Sequence, residues 1–567
     1  MNDATIVTRT FSASNAAALQ AEGIHPVLAR VLAARGIDDA ARLETSLTRL
    51  LPFDALANCT TAARLMADAV AQRERLLIVA DYDADGATAC ALGVSVLRAL
   101  GADVEYLVPN RFEYGYGLTP EIVDVASAQS PRWLITVDNG IASVEGVARA
   151  NQLGIRVLVT DHHLPGAALP DAACIVNPNQ SGCGFPSKHL AGVGVMFYVL
   201  LALRSELRAR GWFNTHPEPN LADALDLVAL GTVADVVRLD DNNRTLVAQG
   251  LKRIRAGRAR PGIDALFRVA GRDPARAAAY DLGFMLGPRL NAAGRLTDMT
   301  VGIECLLASD PARALELAGQ LDALNRERRE IEAQMQDSAL AMADAFEDDG
   351  RYALAMFDAS WHQGVIGILA ARLKERFHRP VIAFAPGSGD EVKGSGRSIP
   401  SLHLRDALDL ISKRHPGLIL RFGGHAMAAG LSLHRSDVAV FAQAFDETAR
   451  SLLTEQDLEQ IVEVDGSLPA EESGLELAEL LEAQVWGQGF PAPQFCDDLE
   501  IVDQRVVGGR HLKLRVRHPG TRRIVEAMRF GEDQPLPGRV HAVYRLQVNE
   551  YNGLRTPQLI LERWRPA

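Results

Sequence analysis

Between about residues 70 and 240 one pattern repeats along the chain: a short run of consecutive apolar and β-branched residues, a polar turn, then a stretch with helical spacing. The runs are Leu76–Ala80, Leu134–Val137, Val157–Thr160 and Cys174–Val176. Runs that do not alternate with polar residues suit strands buried on both faces, so they predict a parallel sheet covered by helices. In such sheets ligands bind beyond the carboxyl ends of the strands. There the first three runs end in Asp81-Tyr82-Asp83-Ala84-Asp85, Asp138-Asn139-Gly140 and Asp161-His162-His163.

Further on, Asp310-Pro311 reads as a cap followed by proline at the first helical position, opening a helix that the pattern carries to about Phe346. Leu317, Leu321, Leu324, Ile331 and Met335 form a narrow apolar stripe, which suits a connector between domains. Tyr352–Phe357 and Val381–Ala385 predict strands of a second α/β unit ending near residue 450. The alternating segments Leu512–Arg517 and Val540–Tyr544 predict a small β-barrel or sandwich at the C-terminus. The expected organisation is an N-terminal segment (1–50), a first α/β domain (51–300), a connecting helix (301–347), a second α/β domain (348–450) and a β domain (455–567).

Composition narrows the class. With 48% hydrophobic and 23% charged residues the chain reads as an ordinary globular protein rather than a disordered one. The longest apolar run, Leu190–Leu203, contains Gly192 and Gly194 and is shorter than the roughly 20 residues that span a bilayer, so a buried helix and no membrane contact are expected. The start Met1-Asn2-Asp3-Ala4 has neither a basic region nor an apolar stretch, which points to the cytoplasm. Six scattered cysteines form no C-x-x-C pair, so reduced thiols are expected and a thiolate zinc site is not. The net charge of −12 is uneven. Residues 451–500 hold 13 acidic and no basic residues, whereas 501–567 hold 13 basic against 6 acidic ones, an excess of +7 that leaves −19 for the first 500. The terminal module suits a polyanion.

The three carboxylates at alternate positions 81, 83 and 85 repel one another unless cations neutralise them. An exposed acidic turn is the plain alternative; an EF-hand is not, because its twelfth position would be Leu92, which cannot ligate. Asp138 alone suits a turn, and adjacent histidines alone suit a solvated loop. In Gly231-Thr232-Val233-Ala234-Asp235 an acid interrupts an apolar stretch, which calls for a partner or a metal. Four such sites at one edge of one sheet, with oxygen and imidazole donors and no thiolate, indicate Mn²⁺ or Mg²⁺. Two such ions roughly 3.5–4 Å apart clamp a phosphoryl group and activate water.

These four motifs, in this order and spacing, resemble those of the DHH phosphoesterases, and of the RecJ family in particular. The resemblance continues through Asn110-Arg111-x3-Gly115-Tyr116-Gly117, Gly287-Pro288-Arg289-Leu290-Asn291-Ala292-Ala293-Gly294-Arg295, His362-x-Gly364-Val365-x-Gly367, Gly394-Ser395-Gly396-Arg397-Ser398 and Gly423-Gly424-His425. It spans about residues 50–450, the later motifs resembling the DHH-associated domain, and the terminal module is similar to an oligonucleotide-binding fold. The resemblance implies one metal on Asp81, Asp83 and Asp138 and a second on Asp85, Asp138, His162 and Asp235, with Asp138 bridging. The family often carries His where this chain has Asp81. Asp85, Asp138, His162 and His163 would be catalytic, His163 either supporting the metal ligands from behind or facing the substrate. Arg111, Arg289, Asn291, Arg295, His362, Ser395, Arg397, Ser398, Gly424 and His425 would contact the substrate.

The implied activity is hydrolysis of single-stranded DNA from the 5′ end to 5′-mononucleotides, in recombination and repair. A strand threaded between two α/β lobes, a monomer, single-stranded-DNA-binding protein and a helicase as partners are implied with it. The alternatives are an oligonucleotide or cyclic-dinucleotide phosphodiesterase or a pyrophosphatase of the same superfamily, whose chains generally lack a basic terminal module, and a non-catalytic DNA-binding relative. Such relatives lose metal ligands, yet every ligand position here holds Asp or His.

Overall fold

A computed structural model describes residues 4–110, 114, 117–344, 350–551 and 553–567. They divide into two compact units, Thr8–Asp322 with Glu463–Ala567, and Ala323–Val462 with Met1–Val7.

The first unit contains the parallel sheet that the apolar runs predict. Strands β1 (Leu76–Ala80), β2 (Val104–Leu107), β3 (Trp133–Val137), β4 (Arg156–Thr160) and β5 (Cys174–Val176) pair in the order β2-β1-β3-β4-β5, all parallel. Strands β1 and β3 are buried at every residue, the physical reason their sequences run apolar without alternation. The edge strand β2 escapes the sequence pattern because only Val104 is buried while Glu105 faces solvent. Helix α1 (Ala84–Ala99) follows β1 directly, and α2 (Gly192–Ala209) and α3 (Leu225–Ala234) pack against it. The apolar run at 190–203 thus lies in a buried helix, and no helix among the described residues is long and apolar enough to cross a membrane. Helix α4 (Gly287–Leu296) closes this layer.

Helix α5 (Pro311–Asp344) begins at the predicted cap, Asp310. Leu317, Leu321 and Met335 are buried as their spacing predicts. Leu324 and Ile331 are only half-buried, and the inward positions between them are instead polar. There Arg328 pairs with Glu332 at 2.8 Å and donates to Asn325 at 2.9 Å. In the second unit, β6 (Leu354–Phe357), β7 (Val381–Pro386), β8 (Glu391–Arg397), β9 (Arg421–Gly424) and β10 (Ala428–His434) form a mixed sheet in the order β9-β10-β8-β7-β6. Only β6 and β7 are parallel. Helix α6 (Ile366–Phe377) connects them, over a core that includes Ile382, Phe384, Phe441 and Phe445.

The C-terminal module belongs to the first unit. Strands β11 (Phe495–Val507), β12 (His511–Arg517), β13 (Val525–Phe530), β14 (Arg539–Tyr551) and β15 (Leu554–Pro566) close a barrel in the order β11-β12-β13-β15-β14. Along β12, Leu512, Leu514 and Val516 point inward and the basic residues outward. The acidic segment before the barrel is built into the unit: buried Asp465 accepts a bidentate pair from Arg35 at 2.7 and 3.0 Å. Part of the positive excess is offset by acids from the preceding segment, in the Arg517–Glu500 and Arg555–Glu479 pairs, while Lys513–Glu526 and Arg545–Glu562 pair within the barrel. Arg505, Arg510 and Arg515 are exposed and make no ion pair among the described residues. The six cysteines are free, four of them buried.

Candidate active site

The carboxyl ends of β1, β3 and β4 converge as the sheet rule requires. After β1, Asp83 caps α1, accepting from the amides of Asp85 at 2.9 Å and Gly86 at 3.0 Å. Asp85 is fully buried, and its two oxygens accept from the first amides of α2, Gly192 at 2.6 Å and Val193 at 2.9 Å. A helix N-terminus thereby holds the carboxylate in one orientation. Asn291 on α4 steadies the same loop, its Oδ1 accepting from the Ala84 amide at 2.8 Å.

Asp138 ends β3 in the left-handed region at φ 62, a strained backbone for a residue with a Cβ. Its amide donates to Thr160 O at 3.0 Å, and the Asn139 side chain donates to Val79 and Val137 carbonyls, which lock the turn. Asp161 gathers the histidines: one oxygen accepts from the amides of His162 (2.7 Å) and His163 (3.1 Å) and lies 2.8 Å from His163 Nδ1, while the other accepts from the Ile141 amide. This organising role of Asp161 is not legible in the sequence beyond its position before the histidines.

His162 Nε2 lies 3.1 Å from Asp138, 3.5 Å from Asp235 and 3.9 Å from Asp85 carboxylate oxygens. Three overlapping groups have ligand atoms within 4.8 Å of one another: Asp81, Asp83 and Asp138; Asp85, His162 and Asp235; Asp138, His162 and His163. The expectation that all four acidic sites lie at the strand edge is corrected for Asp235. It terminates helix α3, whose residues 225–232 are buried all round, and so enters the cluster from a different layer.

Burial pushes Asp85 up to about 7, with repulsion from Asp83 adding to it against the Val193 and Gly192 amides. Burial, then repulsion from neighbouring aspartates, drives Asp138 and Asp235 well above the usual carboxylate range. His162 is depressed to about 4 by burial and by His163. Burial opposes protonation of His163 too, but the hydrogen bond to Asp161 outweighs it and raises His163 to about 9. The buried His162 Nε2 makes no hydrogen bond although three carboxylates surround it. Burial disfavours the protonated ring, and its Nε2 faces the acids. Mutually repelling carboxylates around a neutral imidazole lone pair fit hard or borderline divalent cations.

The second unit carries its own anion-binding features. Ser395 and Arg397 lie on β8, and a Cβ built at Gly367 would fall 3.0 Å from Ser395 Oγ and 3.1 Å from Arg397 Nη2, so both lie against the first turn of α6. Arg397 donates to Gly396 O at 2.8 Å, and burial alone depresses its guanidinium, with no acid contributing. His362 accepts from the Gly364 amide at 3.1 Å. Gly424, at φ 140, ends β9, and His425 is exposed with its amide bonded to Ala428 O. Other predicted contacts are committed to the fold. Ser398 is buried and donates to Leu402 O, Arg289 is buried against Asp322 at 2.9 Å, and Asn291 caps the Ala84 amide. Arg295 is half-buried on α4. Arg111 lies outside the described residues.

Three family models match in succession: the DHH family, N-terminal domain, at residues 75–232; the DHHA1 domain at 349–451; and the RecJ OB domain at 464–563. The chain is 52% identical to the single-stranded-DNA-specific exonuclease RecJ of Dickeya dadantii, over 96% of this chain and 97% of that protein. It is 51% identical to the protein of the same name from Escherichia coli, over 95% of each. Its fold is similar to a crystal structure of RecJ in complex with Mn²⁺ from Thermus thermophilus, with TM-score 0.83 and 30% identity over 99% of this chain and 79% of that one. On these grounds the chain belongs to the RecJ family of DHH phosphoesterases.

Proposed function

We propose that the chain hydrolyses single-stranded DNA from the 5′ end to 5′-mononucleotides, with one divalent ion on Asp81, Asp83 and Asp138 and another on Asp85, Asp138, His162 and Asp235. One observation carries this reading: the buried His162 Nε2, without a hydrogen bond, lies within 3.9 Å of carboxylates from three separate elements. Mn²⁺ or Mg²⁺ bound there supplies Lewis acidity to a phosphoryl group and acidifies the attacking water. The chain's own residues do the positioning. Amides of α2 aim Asp85, burial keeps His162 neutral, and Asp161 holds a proton on His163 for donation to a phosphate oxygen.

Direction requires recognition of a terminus, and Arg397, Ser395 and the first turn of α6 suit a terminal 5′-phosphate: a half-buried guanidinium with no ion pair among the described residues, a hydroxyl and a helix N-terminus. His362, Gly424 and His425 extend this surface, which Ser398 supports. In the first unit Arg295 and Arg111 contact the strand, while Arg289 and Asn291 hold the elements beside the metals. The resemblance extends the reading to a cytoplasmic monomer acting in recombination and repair with single-stranded-DNA-binding protein and a helicase. The test is digestion of a long single strand labelled at either end, in Mn²⁺, Mg²⁺ or EDTA. A 5′ label is released first, as a mononucleotide, and EDTA stops the reaction; 3′-first release or oligonucleotide products would refute the reading.

A further inference from the structure

Next to the metal-ligand cluster the chain exposes an aromatic pair that the proposed chemistry does not use. Tyr280 and Phe284 are 52% and 64% exposed, and their rings stack at 4.9 Å with 21° between planes. They straddle the start of a π-helix, Asp281–Leu286, a geometry with poorer hydrogen bonds than the α-helix and one that often occurs at functional sites. An i, i+4 aromatic pair stabilises a helix by only about 0.2–0.5 kcal/mol, so helix stability does not explain two large rings left in water.

The position of this π-helix is specific. It runs into α4, whose Asn291 holds the Asp81–Asp85 loop. On its other side, a Cβ built at Gly283 would lie 3.1 Å from Val233 Cγ1, and one built at Gly287 3.0 Å from Ala234 Cβ. The π-helix therefore abuts the last turn of α3, which ends in Asp235. The next residue, Val236, is 63% exposed and held at φ 60, strained for a β-branched side chain. The base of the pair is rigid: buried Asp281 pairs with Arg272 at 2.7 Å and accepts from the Ala278 amide at 2.9 Å.

We propose that Tyr280 and Phe284 form a stacking platform for a nucleobase of the strand whose phosphate occupies the metal site, with Val236 as an apolar neighbour. The inference rests on the reading of the chain as a DNA hydrolase. The occupant follows from chemistry: a planar, apolar-faced group that arrives tethered to a phosphate is a nucleobase, and stacking on aromatic side chains accepts every base. A platform of this kind grips ground state and transition state alike, so its loss falls on KM.

The experiment uses the full chain and its Tyr280→Ala/Phe284→Ala double variant, with 5′-phosphorylated oligonucleotides in which one abasic site is moved through the first several nucleotides. Initial rates are read in Mn²⁺ and binding by fluorescence anisotropy in EDTA. For the double variant KM rises about tenfold, the equivalent of ~1.4 kcal/mol, within the range of aromatic–base stacking. For the unmodified chain an abasic site at one position produces the same loss, and in the double variant that site costs nothing further. Tyr280→Phe, which keeps the ring, retains the original KM. The platform is refuted if abasic sites cost the double variant as much as the unmodified chain, or if the variant changes only its elution volume, which would mark a contact between copies. Should the unmodified chain fail to degrade DNA, the functional reading falls, and the anisotropy arm decides the platform alone.

Discussion

Gly192→Ala tests the site without removing any ligand. A Cβ built there lies 2.6 Å from Asp138 Cβ and 2.8 Å from Asp138 Oδ1, whereas ordinary contact begins near 3.4 Å, a shortfall of 0.8 Å. Asp138 has little freedom to retreat, because its left-handed backbone is tied to Thr160 and its neighbour Asn139 to two strand carbonyls. The added methyl must therefore displace the proposed bridging carboxylate, α2, or both, and α2 is the helix whose first amides aim Asp85. Overpacking of this kind costs about 1–3 kcal/mol of stability. Displacement near 1 Å at a reacting centre costs about 100-fold in rate, some 2.7 kcal/mol. The assay is the initial rate of mononucleotide release against Mn²⁺ concentration, beside a thermal melt to establish folding. Expected is a folded protein with kcat down about 100-fold and weakened metal dependence. Gly194→Ala is the control, since its Cβ meets only the flexible Leu190 side chain at 3.1 Å. It should lose less than about threefold, a few tenths of a kcal/mol. Full activity of Gly192→Ala at limiting Mn²⁺ would show that Asp138 does not need its present position.

Asp138→Asn removes a repelling buried carboxylate, so it should abolish hydrolysis yet raise the melting temperature of EDTA-treated protein. The sign follows from Asp85 at about 7 and from Asp138 and Asp235 held well above the carboxylate range. The folded apoprotein keeps protons that the unfolded chain has released, so its stability falls as pH rises from about 4 through 7. The variant flattens that fall, and a melt series with the opposite slope would contradict the burial argument. Arg397→Ala should slow digestion of 5′-phosphorylated strands much more than it weakens metal-independent binding, and should narrow the rate difference between 5′-phosphoryl and 5′-hydroxyl oligonucleotides. An unchanged phosphate preference rules out its role. Replacing Arg505, Arg510 and Arg515 together by Ala should reduce the slope of log K against log salt by up to about 2, from about 0.7 per phosphate contact on a single strand. An unchanged slope would assign these arginines to another partner.

Much of this protein is determined by local pattern. Strands β1 and β3 to β5 are legible because burial on both faces demands unbroken apolar runs, and the site is legible because each of three such runs ends in acids or histidines. The cap Asp310-Pro311 and the alternation along β12 likewise depend only on near neighbours. Where the reading fell short, distant contacts had decided. Strand β2 hides because one face is open to water, and β8 hides because its glycines are poor strand formers. The packing of the fold requires them there: a Cβ at Gly394 would lie 2.5 Å from the Phe384 ring. Asp235 reaches the cluster from a helix, Asp161 organises two histidines by accepting four bonds, and Arg289 is committed to Asp322. Part of the positive excess of the barrel is offset by acids that the composition assigned to a separate segment, Glu500 and Glu479. Periodicity reports which face of an element is buried, but which polar groups meet inside depends on chain crossings between residues far apart in sequence, and those only the tertiary structure decides.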